Sequence, residues 1–276
     1  MRSESGENVL PYRTVHSPSV NENQIGTLAF RVPVKRCRHL HCLNSFRAIN
    51  TFMFRTILRA LPLRCQLCHH TLENRRYPWC ESCHESFPRV PRCLHCGLPA
   101  PYVTESCGRC LNNPPAWDRL ICVGGYTFPY DKLLHRFKYQ GQYWLAPALA
   151  TLLAQEIDDP AAVILPVPMH WRRRIARGFN HSTVLANELA KQLGVQCESK
   201  VLKRNRATRQ QQGLSRQFRL SNLREAFTMT GSLPERVALV DDVVTTGTTI
   251  AEICRLLRTR GVKHIDIYCL CRTPPK

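Results

Sequence analysis

The segment ALVDDVVTTGTTIAEIC, residues 238–254, holds residue types suited to a phosphorylated sugar. An apolar run, Val237–Val240, reads as a buried strand, and it ends in two carboxylates, Asp241 and Asp242. Paired acids of this kind need vicinal hydroxyls or a divalent cation as partners. Val243, Val244, Thr245, Thr246, Gly247 and Thr248 then make a turn, and a helix is predicted from near Thr249. The free N–H groups of a helix start attract anions, and small residues let a phosphate approach the backbone. Thr245, Thr246, Thr248 and Thr249 add hydroxyl donors, and Gly247 leaves room where a Cβ would fill space the phosphate needs. Acids followed by a cradle fit a ribose 5-phosphate better than a nucleoside triphosphate. The sequence has no GxxxxGK[ST] segment, so a P-loop has no support. The competing bland reading is an Asp-rich turn before a helix.

A second constellation is cysteine. Four CxxC pairs follow one another: Cys65/Cys68, Cys80/Cys83, Cys93/Cys96 and Cys107/Cys110. Two intervening residues let both sulfurs reach one metal, and two knuckles about a dozen residues apart complete a tetrahedral site. In order, the pairs predict two structural zinc ribbons, 65/68 with 80/83 and 93/96 with 107/110. The cross-braced alternative joins the first pair to the third. Four thiolates leave no position for a catalytic water. Cys122, Cys197, Cys254, Cys269 and Cys271 read as buried apolar residues.

Around these motifs the chain divides into three textures. Residues 1–60 are polar and aperiodic and read as a disordered leader or a mis-assigned start, with Met53 a sensible alternative beginning. The segment CRHLHC within them fits no closed tetrahedral site. Residues 61–115 are cysteine-dense and lack a core of their own, so something must staple them. Over 120–276, short apolar strands alternate with amphipathic helices. ICVGGYTF, AVILPVP, RVALV and HIDIYCLC are the strand candidates. YDKLLHRFKY, LAPALATLLAQEI, HSTVLANELAKQLG and TIAEICRLLRTRG are the helices, the last two stopped by Gly194 and Gly261. That alternation predicts an α/β domain with a mainly parallel sheet.

Of 276 residues, 39 are Lys or Arg against 20 Asp or Glu, a formal net charge of +19. Such a chain attracts polyanions. Positive charge concentrates at Arg172, Arg173, Arg174 and Arg177, and again from Lys203 to Arg224. Three readings stand: a solvated face, a pyrophosphate site, and a single-stranded nucleic acid surface helped by Trp171, Phe179 and Phe218. No apolar run is long enough for a membrane span, and a cytoplasmic protein is expected.

DDVVTTGTT resembles the PRPP motif of type I phosphoribosyltransferases. Residues 63–274 resemble the ComF/GntX family, amidophosphoribosyltransferase-like proteins with a double zinc ribbon, some described as DNA-utilisation proteins. The eight paired cysteines, CGLPAP, CGRCL, PVPMHWRRRIARGFNHS, RATRQQQGLSRQFRLSNLREAF and CLCRT carry the likeness. It implies a type I phosphoribosyltransferase-like sheet preceded by a small zinc-ribbon domain. It also implies PRPP as ligand, with Mg²⁺, and work in DNA uptake or utilisation or in nucleotide salvage. Asp241 and Asp242 would hold the ribose 2′- and 3′-hydroxyls, and Val243 to Thr249 the 5′-phosphate. Val167 and Pro168 begin the expected pyrophosphate loop. Arg177 and Asn180 match the family's RGFNQ element, with His181 in place of glutamine. Lys138 matches its K-Y-x-G element, and Gln211, Arg219 and Asn222 match a further element expected to form a hood. Two functions remain open at this stage. One is an enzyme moving ribose 5-phosphate from PRPP to an acceptor; the other is a PRPP sensor or single-stranded-DNA-binding module without turnover. Thr245 occupies the position where some purine-salvage relatives carry an acid that acts as general base.

Overall fold

The computed structural model describes residues 63–73, 76–169, 178–205 and 226–274. Leu61–Lys276 forms one compact unit. CRHLHC, Met53, Arg172 to Arg174, Arg177, Gln211, Arg219 and Asn222 lie outside the described residues.

The sheet is parallel throughout. Its strands are β1 (Arg119–Gly124), β2 (Val163–Pro166), β3 (Gln196–Cys197), β6 (Arg236–Val244) and β7 (His264–Arg272), in the order β1-β7-β6-β2-β3. A separate antiparallel pair joins β4 (Leu202–Arg204) to β5 (Phe227–Met229). Successive strand residues point to opposite faces, and both faces are covered, which is why these strands read as unbroken apolar runs. On one face Ala238, Val240, Ile164 and Tyr268 pack with α3 (Tyr130–Tyr139), α4 (Ala146–Ala154) and α5 (His181–Leu193). On the other, Val237, Leu239, Ile267 and Cys269 pack with α6 (Thr248–Thr259) and with Leu202 and Phe227 of the hairpin. Two short helices, α1 (Glu81–Glu85) and α2 (Gly108–Asn112), lie in the cysteine-rich part.

Gly194 follows α5 with φ +69°, a left-handed closure that glycine takes without a Cβ clash. Three sequence expectations shift. β6 runs on to Val244 instead of stopping at Val240, because Asp241, Val243 and Val244 keep pairing with Cys269, Cys271 and Arg272 of β7. β1 ends at Gly124, short of the YTF segment. The helix expected from Leu145 begins as a 3₁₀ turn, Tyr143–Leu145, and ends at Ala154. The short strands β3, β4 and β5 have too few residues to show a period in sequence.

Candidate functional site

β6 is the central strand, and its carboxyl end carries the acids. This is the position at which parallel α/β sheets bind ligands. The Asp241 carboxylate accepts hydrogen bonds from the Ser182 hydroxyl in the first turn of α5 and from the Asp242 N–H, both at 2.9 Å. Burial, then the neighbouring Asp242 charge, pushes the Asp241 carboxyl up to about 7, against those two donors. Asp242 is buried and pairs with Lys138 Nζ at 2.9 Å. Lys138 reaches it from the last turn of α3. The backbone carbonyl of Lys138 accepts a 3.0 Å hydrogen bond from His181 Nε2, whose ring packs at 4.6 Å from Phe179. The histidine that departs from the family pattern therefore braces the turn that delivers Lys138.

The loop after the acids turns at Gly247, which adopts φ +76° and precedes the first residue of α6. Thr245, Thr246 and Thr248 are exposed, and the Thr246 and Thr248 hydroxyls lie 2.9 Å apart. Val244 is buried, while Val243 and Thr249 are half-buried. The open space expected beside Gly247 is not what its Cβ would meet: a Cβ there would come within 2.6 Å of the Trp117 ring. The glycine is required by its φ and by the indole behind it. At the neighbouring strand, Val167 N–H continues the ladder to Val240 O at 2.9 Å, and Asn180 Nδ2 donates to Val167 O at 3.1 Å. The structure thus brings Lys138, Val167, Asn180, Asp241, Asp242 and the threonine loop to one end of the sheet.

Sequence reading missed three residues here. Ser182 stood inside the quoted FNHS segment, and Arg272 inside CLCRT; an arginine closing the apolar run 267–271 was the available signal. Trp117 had none.

The cysteines close as two tetrads, Cys65–Cys68–Cys80–Cys83 and Cys93–Cys96–Cys107–Cys110, each with all sulfurs within 4.8 Å of one another. This is the sequential pairing, not the cross-braced one. Sulfur pairs stand 3.6–3.9 Å apart: Cys68 to Cys80 at 3.6 Å and Cys93 to Cys110 at 3.9 Å. A tetrahedral zinc with bonds of about 2.3 Å sets its sulfurs about 3.8 Å apart, so each tetrad has the size of a zinc site. A disulfide, at about 2.05 Å, is excluded. The two tetrads repeat one design. Cys65 Sγ accepts the Cys80 N–H at 3.4 Å, and Cys93 Sγ accepts the Cys107 N–H at 3.2 Å. Cys80 and Cys107 also precede their short helices with matching backbone angles. At the turn after each first knuckle, His69 (φ +64°) stands where Gly97 (φ +70°) stands in the second. Of the remaining cysteines, Cys122, Cys254, Cys269 and Cys271 are buried, and Cys197 is half-buried.

No helix among the described residues is long and apolar enough to cross a membrane. Residues 180–276 match the family described as phosphoribosyl transferase domain, the span that holds the acids and their loop. Among solved structures, the purine phosphoribosyltransferase of Pyrococcus horikoshii aligns over 47% of this chain and 74% of its own, with 20% identity and a TM-score of 0.32. Competence protein F of Haemophilus influenzae is 37% identical over 222 residues, 76% of this chain and 96% of the relative. DNA utilization protein YhgH of Salmonella typhimurium is 40% identical over 225 residues, 77% of this chain and 98% of the relative. At that identity and coverage, with paired cysteine tetrads ahead of a phosphoribosyltransferase-type sheet, the chain belongs to the ComF/GntX family.

Proposed function

We propose that this chain binds PRPP at the carboxyl end of β6 and works as a phosphoribosyltransferase-like protein in DNA uptake or utilisation. One observation carries the reading. Asp241 and Asp242 sit side by side at the end of the central strand, and the chain then turns at a left-handed Gly247 into the start of α6. In this reading the acids receive the ribose 2′- and 3′-hydroxyls, and the N–H groups and hydroxyls of Thr245 to Thr249 receive the 5′-phosphate. Lys138 offsets one of the two negative charges beside an anionic ligand, which two bare carboxylates would repel. Val167 and Asn180 line the neighbouring strand end, where the pyrophosphate would lie. Mg²⁺ bound with PRPP would neutralise pyrophosphate charge; Asp241 and Asp242 are the acids able to face it. Displacement at the anomeric carbon builds positive charge on the ribose and negative charge on the leaving group. The residues' task is therefore to hold the sugar in line, keep charge balanced and keep water out.

The link to DNA rests on the relatives described as competence and DNA utilization proteins. The net charge of +19 is compatible with a nucleic acid partner. A second reading, PRPP binding without turnover, is favoured by Thr245, an exposed residue that cannot act as a general base. Titration calorimetry with Mg²⁺ and PRPP, followed by pyrophosphate release across nucleobases, ammonia and single-stranded DNA, separates the two. Release with one acceptor selects the enzyme, and binding with no release selects the sensor. No binding at millimolar PRPP refutes both.

A further inference from the structure

The second cysteine knuckle does more than fold its own ribbon. Three consecutive carbonyls, from Leu94 to Cys96, are taken up by donors of the α/β sheet and its approach, while that of Gly97 accepts from Arg92 of its own ribbon at 2.9 Å. Leu94 O accepts the Leu120 N–H at 2.8 Å, His95 O accepts Trp117 Nε1 at 2.8 Å, and Cys96 O accepts Arg272 Nε at 2.9 Å. Gly97 O lies 3.6 Å from Cys122 Sγ. The His95 ring answers Trp117 by donating from Nε2 to its carbonyl at 2.9 Å.

Two of those partners reach onward to the phosphate loop. Arg272 is buried, and its guanidinium also donates through Nη1 to Val244 O, Thr245 O and Thr273 O. Trp117 is buried as well, and its ring lies where a Cβ of Gly247 would go. One guanidinium and one indole thus join the knuckle that bears Cys93 and Cys96 to both ends of the Thr245–Gly247 turn. The first tetrad has different neighbours. Gln66 meets Arg136 of α3, Tyr77 meets Gln155, and Phe87 packs on Tyr130.

We propose that Arg272 and Trp117 are positioning residues that make the conformation of the phosphate loop depend on an intact Cys93–Cys96–Cys107–Cys110 site. The geometry gives the physical reason. An exposed loop of threonines has little packing to hold it, so its shape is set by what its carbonyls and its glycine rest on. Without a metal on its four cysteines the knuckle would be free to shift, and a displaced Cys96 carbonyl would cost the guanidinium one of its anchors. Lysine cannot replace it, because one ammonium cannot donate in two directions from a planar fork.

The proposal rests on the PRPP reading, and its test separates the two. Full-length wild type, Cys110→Ser, Cys83→Ser, Arg272→Lys and the double variant Cys110→Ser/Arg272→Lys are compared by metal content, PRPP titration and hydrogen exchange. Cys110→Ser, with the second metal lost, is expected to weaken PRPP about tenfold or more and to speed amide exchange across 245–249. Cys83→Ser, with the first metal lost, is expected to leave amide exchange across 245–249 within about twofold, and its PRPP affinity is read separately because Gln66 meets Arg136 in the turn that delivers Lys138. Arg272→Lys should weaken PRPP while retaining both metals, and the double variant should be no worse than the poorer single. Unchanged exchange and affinity in Cys110→Ser, equally faster exchange across 245–249 in both cysteine variants, or additive losses in the double each overturn the coupling. If wild type fails to bind PRPP, the ligand reading fails, and the exchange data alone decide the coupling.

Discussion

Replacing Lys138 by Met keeps most of the side chain's volume and removes its charge, leaving Asp242 without its cation. The two charged atoms are 2.9 Å apart, with side chains only 14% and 12% exposed. At an effective dielectric of about 20, charges at that distance attract by roughly 6 kcal/mol. Desolvation of both groups offsets much of this, so the pair itself adds little net stability. Breaking it is a different matter, because one buried charge stays behind at a cost of about 3–5 kcal/mol. Each of Lys138→Met and Asp242→Asn is therefore expected to destabilise the fold by about 3 kcal/mol. The double variant should lose much less than the sum, with a coupling of about 2 kcal/mol or more. Urea unfolding followed by circular dichroism in zinc-containing buffer measures all four corners of the cycle. PRPP with Mg²⁺ should restore less stability to Lys138→Met than to wild type, since the uncompensated Asp242 repels the anionic ligand and a weaker ligand stabilises less. Strictly additive losses would show that Lys138 and Asp242 do not act as a pair, and would remove the charge-balance argument for the site.

Other perturbations have equally definite outcomes. Protein purified reduced and without chelator should contain two zinc ions per chain by elemental analysis, because each sulfur tetrad has the size of a zinc site; well below one per chain refutes this. With Asp241 raised to about 7, the folded chain between pH 4 and 7 keeps a proton that the unfolded chain has released. Stability should therefore fall as pH rises across that window and level off above it. Asp241→Asn should flatten that slope in a pH series of denaturation midpoints. Gly247→Val should lose about 2–4 kcal/mol from its left-handed φ and its collision with Trp117. Gly247→Val should cost less in a Trp117→Leu background than in wild type, and an equal cost in both backgrounds would mean the ring is not the obstacle. Binding to a fluorescent single-stranded oligonucleotide should weaken steeply with salt. An absence of anisotropy change at low salt and micromolar protein would leave the basic stretches as solvated surface or pyrophosphate site.

What was legible in the sequence was local. The threonine loop is contiguous, so its acids, glycine and helix start could be read in one window. The cysteines announced themselves because a knuckle needs two ligands a fixed short distance apart. Helix ends at Gly194 and Gly261 followed from glycine's freedom to take positive φ. The extension of β6 through both acids was not legible, because a strand's end depends on its neighbour, and β7 runs to Arg272 beside it. Lys138 and Asn180 could be placed at the site only by family likeness. Nothing between Lys138 and Asp242 in the chain says that α3 ends over β6.

The same distinction explains why the sequence points to Gly247 as a turn residue but not to the indole behind it. In sequence, a glycine in a phosphate loop suggests space on the ligand side, because the ligand is the only neighbour a local reading supplies. In the fold, the loop has two sides. The exposed side offers Thr245, Thr246 and Thr248, while the direction a Cβ would take is filled by an indole from Trp117, held by the second cysteine knuckle. Arg272 joins the same backing from the last position of β7. A cradle for an anion needs donors in front, which are cheap to encode in five consecutive residues. It also needs a rigid back, which an exposed turn cannot supply for itself. In this chain the back is assembled from three distant segments, and the cysteine ribbon is one of them.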